Sequence, residues 1–414
     1  MNIIELVERL RTAPKEFDIL GKGAHCLALT HRENPNDVLL LEDGNKNGPH
    51  HARAAGFARQ NDCLLSASLS SYNNNNGLPF LHPALVESAA SGAVGQSIYL
   101  HIGNGTIFTG HSMRLIRRIP GKALHYLDFV DPHNGLSNAQ MDALARDIAA
   151  WMYTLHHQVS TAAMIKNKLA KQFHDAGKSL LDRPLASDKY KIFVIQNVAE
   201  IDKLNKGLNE GTLYPDYAQK ITNNLDDAGI NFKLLEQSAH LLKRRLETVL
   251  PTDRIGLCHS DIHPANIIVS DNFNAVNGVC DWMSAGFDAQ SIDFAGLGLA
   301  HGLLPKVLKY YRKREKESGV AHPINQEAAY AYAAMRNLYI VVKAVKNGYG
   351  EGCAARVAWE QVGECFSCLS RINSAVYGQL ARRHKHQKLP PLRMPNERQH
   401  FKSHPSLTPS HSPQ

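Results

Sequence analysis

The run Leu257-Cys258-His259-Ser260-Asp261-Ile262-His263-Pro264-Ala265-Asn266-Ile267-Ile268-Val269, followed by Val279-Cys280-Asp281-Trp282, constrains this 414-residue chain more than any other stretch. Ile267 to Val269 reads as a short buried strand, Ser270 to Asn274 has turn composition, and Val276 to Cys280 reads as a returning strand. The two ends of a hairpin meet, so Asn266 before the first arm and Asp281 after the second are expected to face one small volume. An amide oxygen and a carboxylate make the hard-oxygen environment that Mg2+ prefers, with further positions left for phosphate oxygens and water. Asp261, earlier on the loop, stays clear of the metal and is placed to accept a proton from an attacking hydroxyl.

Two blander readings stand beside this one. His259 and His263 are four apart and could form a zinc pair, but Pro264 discourages a continuing helix and no third ligand is evident. A purely structural hairpin with incidental acids would leave unexplained why polar residues punctuate both ends of two apolar strands.

The same residues carry a family resemblance. The run resembles the catalytic loop and metal-binding Asp of the aminoglycoside phosphotransferase and choline kinase group. That resemblance implies an α+β, bilobal protein-kinase-like fold with a small β-rich N-lobe and a large helical C-lobe. It also implies Asp261 as catalytic base and Asn266 and Asp281 as Mg2+ ligands. Asp293, in Ser291-Ile292-Asp293-Phe294-Ala295, resembles the later Asp of the family that braces the catalytic loop, and His259 is grouped with it as structural support.

Further upstream, Phe17 to Leu29 reads as strand, glycine turn, strand around Gly21-Lys22-Gly23. Its backbone amides could cover nucleotide phosphates, although such a motif alone is more often an ordinary hairpin turn. Asp37-Val38-Leu39-Leu40-Leu41-Glu42 fits the next strand. In the family a lysine near this point grips phosphate; here the strand offers leucines, and Gly44 through Val86 contains no Glu to partner one. Either another cation takes the role, with Lys22 or Lys46 as candidates, or nucleotide binding is weak or lost. Ser97 to Ile102 and Thr106 to Phe108 look like a hairpin. Met113 to Ile119 follows as a strand ended by Pro120-Gly121, and it resembles the family's hinge, where backbone near Ile116, Arg117 and Arg118 would meet the adenine edge.

Ser137-Asn138-Ala139-Gln140 is a capping-box pattern, and Met141, Leu144, Ile148, Trp151, Met152 and Leu155 recur at helical spacing. His156 and His157 at its end read as structural. A largely helical stretch from about 161 to 227 carries substrate specificity in the family. Leu235, Ala239, Leu242, Leu246 and Val249 mark another helix, stopped by Pro251. The resemblance spans roughly residues 15 to 380. The expected division is 1–114 as a nucleotide-covering lobe, 115–122 as hinge, 123–383 as the catalytic and substrate lobe, and 384–414 as a disordered basic tail.

Composition excludes other classes. No apolar run approaches the roughly 18 residues of a membrane span, and the acidic, interrupted start is unlike a signal peptide, so the expected compartment is cytoplasmic. Seven scattered cysteines do not read as a disulfide framework, and Cys365-x-x-Cys368 lacks a second pair for a metal. The net charge of +8 invites a nucleic-acid reading, but Arg382 to Gln414 holds seven basic residues and one acid, which accounts for +6 of it. Specific nucleic-acid binding is therefore not expected, and weak anionic contacts through the tail stay open.

The expected function is an ATP- and Mg2+-dependent phosphotransferase acting on a hydroxyl of a sugar, amino alcohol or aminoglycoside-like compound. A protein-directed kinase and a non-catalytic nucleotide-binding pseudokinase are the alternatives. Asp281 to Asp293 is short for the activation segment of a protein kinase. The missing Lys and Glu motivate the pseudokinase.

Overall fold

The chain divides into two units, one of residues 1–120, 278–283 and 396–414, the other of residues 121–277 and 284–395. The computed structural model describes residues 2–22, 26–43, 85–90, 98–102, 106–129, 135–159, 188–281, 284, 286–347, 353–387, 389 and 407–409. Gly23, Lys46, the Asn-rich stretch and residues 161–187 lie outside these.

The first unit opens with a helix, Ile3–Thr12 (α1). It is set by a capping box: Asn2 Oδ1 accepts the Glu5 amide at 2.9 Å, and the Glu5 carboxylate accepts the Asn2 amide at 3.0 Å. Leu6, Val7 and Leu10 then fall on one face and form a core with Phe17, Leu27, Leu29, Leu39, Leu41 and Leu115.

These last residues belong to an antiparallel sheet built from Phe17–Lys22 (β1), Cys26–His31 (β2), Asn34–Asp43 (β3), Leu85–Ala90 (β4), Ile98–Ile102 (β5) and Thr106–Arg117 (β6). The order is β1-β2-β3-β6-β5, and β4 also pairs with β6. Expected as two separate strands, β6 is one. It pairs with β5 as far as Gly110 and with β3 and β4 beyond, so the small residues Gly110 and Ser112 mark a change of neighbour rather than a break.

A helix runs to His386, and Leu407–Pro409 pairs with β5.

The second unit begins at Gly121. Its φ is +113°, and a Cβ there would lie 2.0 Å from the Val269 carbonyl oxygen, so only glycine fits. Lys122–Ala123 (β7) pairs with Ile267–Val269, and Leu124 continues by donating to the Ile267 carbonyl at 3.0 Å. Asn138–Tyr153 (α2) starts at the Ser137-Gln140 capping box and buries Met141, Leu144, Ile148, Trp151 and Met152, as the spacing predicts.

The remaining helices are Asn197–Asn209 (α3), Pro215–Ala228 (α4), Phe232–Val249 (α5), Leu303–Glu317 (α6), Gln326–Asn347 (α7), Cys353–Ile372 (α8) and Ser374–His386 (α9). A π-helical turn, Lys191–Gln196, leads into α3. Cys365 and Cys368 on α8 are buried free thiols.

Helix α7 is buried almost all round from Ala328 to Leu338, where its alanines let neighbouring backbone approach. Short strands complete the unit: Ile255–Cys258 (β8), Ile267–Val269 (β9), Val276–Val279 (β10) and Gly286–Ala289 (β11). They join as β7-β9-β10 and β8-β11, which gives the hairpin read from the sequence. Among the described residues no helix is long and apolar enough to cross a membrane.

Candidate active site

Strand β8 delivers the chain to a loop whose backbone could not hold its shape alone. Ser260 has φ +63°, the left-handed region, which costs a non-glycine residue about 1–2 kcal/mol. Asp293 offsets that cost. It sits in the ten-residue 3-10 segment Gln290–Leu299, where Oδ2 accepts the His259 amide at 2.9 Å and Oδ1 the Ser260 amide at 2.6 Å. Hydrogen bonds to a charged acceptor contribute about 1.5–3 kcal/mol each, so two of them outweigh the strain. The His259 ring, fully buried, accepts the Asp261 amide on Nδ1 at 3.3 Å.

Asp293 is itself held from behind. His156 Nε2 lies 2.9 Å from its Oδ2, and the other nitrogen of that ring lies 2.8 Å from the Tyr311 hydroxyl, which also meets His157 at 2.9 Å. The two histidines at the end of α2 are thus part of a buried brace. Gly296 lets the 3-10 segment come close enough: a Cβ there would stand 1.9 Å from the Ile262 carbonyl oxygen. Asp253 fixes the start of this segment, since its Oδ2 accepts the Ser291 amide at 3.0 Å. Burial nonetheless pushes the Asp253 carboxyl up from its usual range.

Asp261 follows on this loop. Its Oδ1 accepts from Arg336 Nη2 at 2.9 Å and lies 3.6 Å from Lys189 Nζ, whereas Oδ2 has His263 Nε2 at 4.0 Å. Burial alone would raise this carboxyl, but Arg336 and Lys189 outweigh it and hold it down at about 2. It is ionised at any physiological pH. Burial, then Arg336, depresses His263 to about 4, so that ring is neutral at pH 7.

Asn266, in a 3-10 turn just before β9, donates Nδ2 to the Asp261 carbonyl at 3.0 Å. The structure therefore brings Asp261, Asn266, His259 and Asp293 into one hydrogen-bonded assembly. The hairpin beyond them is anchored to α2, where Asp147 Oδ2 accepts the Val276 amide at 3.2 Å and Gln140 donates to the Asn272 carbonyl at 2.9 Å.

The other residues singled out in the sequence belong to the first unit. Asp281 follows β10, is exposed and has φ +62°, a conformation that Asp tolerates better than most residues. Gly21 and Lys22 end β1, paired with Ala28 and Leu27. Ile116 sits between Val38 and Leu85 in the sheet, Arg117 pairs with Asp37, and the Arg118 amide donates to the Asn36 carbonyl at 2.8 Å. Ile116 thus lies within the sheet, directly between β3 and β4.

Arg336, Lys189 and Asp253 were missed in the sequence. Arg336 lies 75 residues beyond Asp261, inside a helix whose periodicity signals only burial. Lys189 precedes the π-helical turn, whose widened spacing breaks the 3.6-residue pattern.

The two units, one a β-rich sheet and the other mainly helical around a braced Asp loop, define an α+β protein of the protein-kinase-like class. A family model described as "Phosphotransferase enzyme family" matches residues 99–321, more than half of the chain. The chain belongs to that family. No curated protein matches it in sequence.

Solved structures similar to it include an ADP-bound aminoglycoside phosphotransferase, at 16% identity and TM-score 0.45, over 92% of this chain and 99% of that one. A gentamicin complex of another aminoglycoside phosphotransferase is 17% identical at TM-score 0.46, over 91% of this chain and 98% of that one. The ethanolamine kinase of Plasmodium vivax is 11% identical at TM-score 0.47, over 90% and 87%.

Proposed function

We propose that this chain transfers the γ-phosphate of ATP to a hydroxyl group of a small molecule, with Asp261 as the residue that receives and orients that hydroxyl. The observation that carries the reading is the Asp261 carboxylate. It is ionised on a loop pinned at consecutive amides by Asp293, with Oδ1 taken by Arg336 and Oδ2 making no hydrogen bond among the described residues.

A carboxylate held at about 2 is a weak base toward an alcohol. It takes the proton late, as the new O–P bond forms and the O–P bond to ADP breaks with its electron pair leaving on ADP. Its larger contribution is orientation, in keeping with a loose phosphoryl-transfer state that asks more of positioning than of proton abstraction.

Asn266 and Asp281 are the proposed ligands of Mg2+. The donor set fits a hard cation: Asn266 commits its amide nitrogen to the Asp261 carbonyl, which directs the oxygen end of the group elsewhere, and Asp281 adds an exposed carboxylate. Mg2+ bound there would neutralise charge on the transferring phosphate. Nucleotide contacts are proposed for Gly21, Lys22 and Gly23 and for the chain around Ile116, Arg117 and Arg118, with Lys22 or Lys46 in place of the lysine that β3 lacks. The expected compartment remains the cytoplasm.

Strand β3 favours a second reading, a nucleotide-binding protein without catalysis. Leu39 and Leu41 are buried in the core of the first unit, at 1% and 0% exposure. Thermal stability with and without Mg·ATP separates the readings. Nucleotide at a hundred times its dissociation constant stabilises by about 2.7 kcal/mol. A raised midpoint together with phosphate transfer onto metabolites, but not proteins, supports the enzyme; a raised midpoint without transfer supports the second reading, and no shift contradicts both.

A further inference from the structure

Helix α7 is locked against the Gln290–Leu299 segment beside the Asp261 loop. Asn337, fully buried, donates Nδ2 to the Gly298 carbonyl and to the Ala333 carbonyl one turn back, each at 3.0 Å. Gly298 admits that approach, since a Cβ there would stand 2.7 Å from the Ala333 Cβ. The contact fixes the rotation and height of α7, and it does so at the residue next to Arg336.

The Arg336 side chain leaves this anchored turn and ends on Asp261, with Nη2 2.9 Å from Oδ1. Two further surfaces settle its path. The guanidinium lies over the Phe193 ring, Cζ 5.4 Å from the centroid, and Tyr339, one turn along α7, meets that ring edge-on at 5.2 Å. Gly296 leaves room for the other amino group, because a Cβ there would stand 2.6 Å from Arg336 Nη1. The residue is 8% exposed, and a guanidinium so far removed from water needs a fixed partner to offset its lost hydration. Lys189 Nζ, 3.6 Å from the same carboxylate oxygen, is past hydrogen-bond reach and supplies charge without direction. Arg336 supplies direction, since a planar fork of donors restricts how the carboxylate can turn.

Resting on the phosphotransferase reading, we infer that Arg336 is a positioning residue for phosphoryl transfer: by holding Oδ1 it sets the rotation of the Asp261 carboxylate and presents Oδ2 to the acceptor hydroxyl. The acceptor oxygen forms its bond to the γ-phosphorus, the bond to ADP breaks with its electron pair leaving on ADP, and the hydroxyl proton passes to Oδ2. Arg336 acts through Asp261 and touches neither acceptor nor nucleotide. Its loss therefore falls on kcat, through orientation, and spares the binding of either substrate.

The test uses the full chain with Mg·ATP and the best hydroxyl acceptor of a metabolite panel, and reads kcat and KM of labelled-phosphate transfer. Arg336→Ala is expected to lower kcat by about a hundredfold while KM for ATP and for the acceptor each stay within about threefold. Guanidinium chloride at a non-denaturing concentration should raise kcat of Arg336→Ala by about tenfold, by refilling the place between Gly296 and Phe193, and should not help Asp261→Asn. Ammonium chloride lacks the fork and should not rescue. Arg336→Lys, which keeps the charge and loses the fork, should fall between the native chain and Arg336→Ala. A side chain needed only for packing would show neither the split between kcat and KM nor the rescue.

A kcat of Arg336→Ala within about threefold of native, a loss confined to KM, or a loss that neither guanidinium nor Arg336→Lys repairs overturns the inference. Where Arg336→Ala does not fold, Arg336→Lys decides: kcat lowered by about tenfold at unchanged KM supports the inference, and kcat within about threefold of native or a change in KM alone overturns it. Phosphate transfer by the native chain, seen with any of these results, leaves the phosphotransferase reading standing. A native chain that transfers phosphate to no hydroxyl compound and is not stabilised by Mg·ATP overturns that reading and the inference with it.

Discussion

The Asp261 loop of the second unit and strand β3 of the first make opposite use of burial. Around Asp261 burial encloses charge: Asp293 is fully buried yet saturated by two backbone amides and His156, and Asp261 stays ionised because Arg336 and Lys189 stand beside it. In β3 burial serves packing alone, with Leu39 and Leu41 in the leucine core formed with α1. The contrast teaches where each region has freedom to change. A braced polar loop tolerates almost no substitution, because each loss strands a buried partner. A leucine-packed strand is constrained only in volume, so a phosphate-gripping cation can be supplied from another position.

The contrast breaks most sharply at the two carboxylates proposed for the reaction, Asp261 and Asp281. Asp281→Asn is expected to reduce turnover the most, more than the loss of about 10²–10⁴ expected for Asp261→Asn, since it removes a proposed metal ligand; steady-state kinetics at saturating ATP decide the order. Next comes the brace. Asp293→Ala strands the His259 and Ser260 amides and His156, and should cost about 3–5 kcal/mol of stability in urea unfolding, against about 2–5 for Leu41→Ala in the leucine core. The difference lies in activity: Asp293→Ala should abolish turnover in the protein that remains folded, whereas Leu41→Ala should retain it.

Smaller effects sharpen the first unit. If Lys22 supplies the missing cation, Lys22→Ala should raise KM for ATP by about tenfold while Lys46→Ala does not, and the reverse result assigns the role to Lys46.

The mildest effect is acid loss of stability. His384, stacked on Phe366 at 5.0 Å and 3.0 Å from the Ser238 hydroxyl, is lowered to about 4 by burial and then by Arg383, and His263 is lowered similarly. Each folded-state value is depressed below that of the unfolded chain, so the unfolded state binds more protons between about 4 and 6.5. Stability should be full above pH 6.5 and fall as pH drops toward 4. His384→Gln should flatten that slope in denaturant titrations across the range.

How much of this was legible in the sequence depended on distance along the chain. Asp261, Asn266 and the hairpin were readable because loop, turn and strands lie within a short window where period and turn chemistry speak directly. Helix α2 was readable from its capping box and apolar spacing. Arg336 was not, because an arginine inside the alanine-rich α7 shows its partner only once the helix packs behind the loop. Lys189 was obscured by the π-helical turn after it. Helix α1 carried legible signals in the capping box of Asn2 and Glu5 and in the apolar spacing of Leu6, Val7 and Leu10. The continuity of β6 was hidden by Gly110 and Ser112, and no turn or periodicity signal marks 407–409 as a strand.

The most direct test of the central claim is phosphate transfer by Asp261→Asn. The native chain and the variant would be compared in labelled-phosphate transfer from Mg·ATP to their best acceptor, with nucleotide-induced thermal stabilisation measured on the same samples. Transfer lowered by at least about a hundredfold with stabilisation by Mg·ATP retained is the predicted result. Undiminished transfer by the variant would contradict the assignment of Asp261.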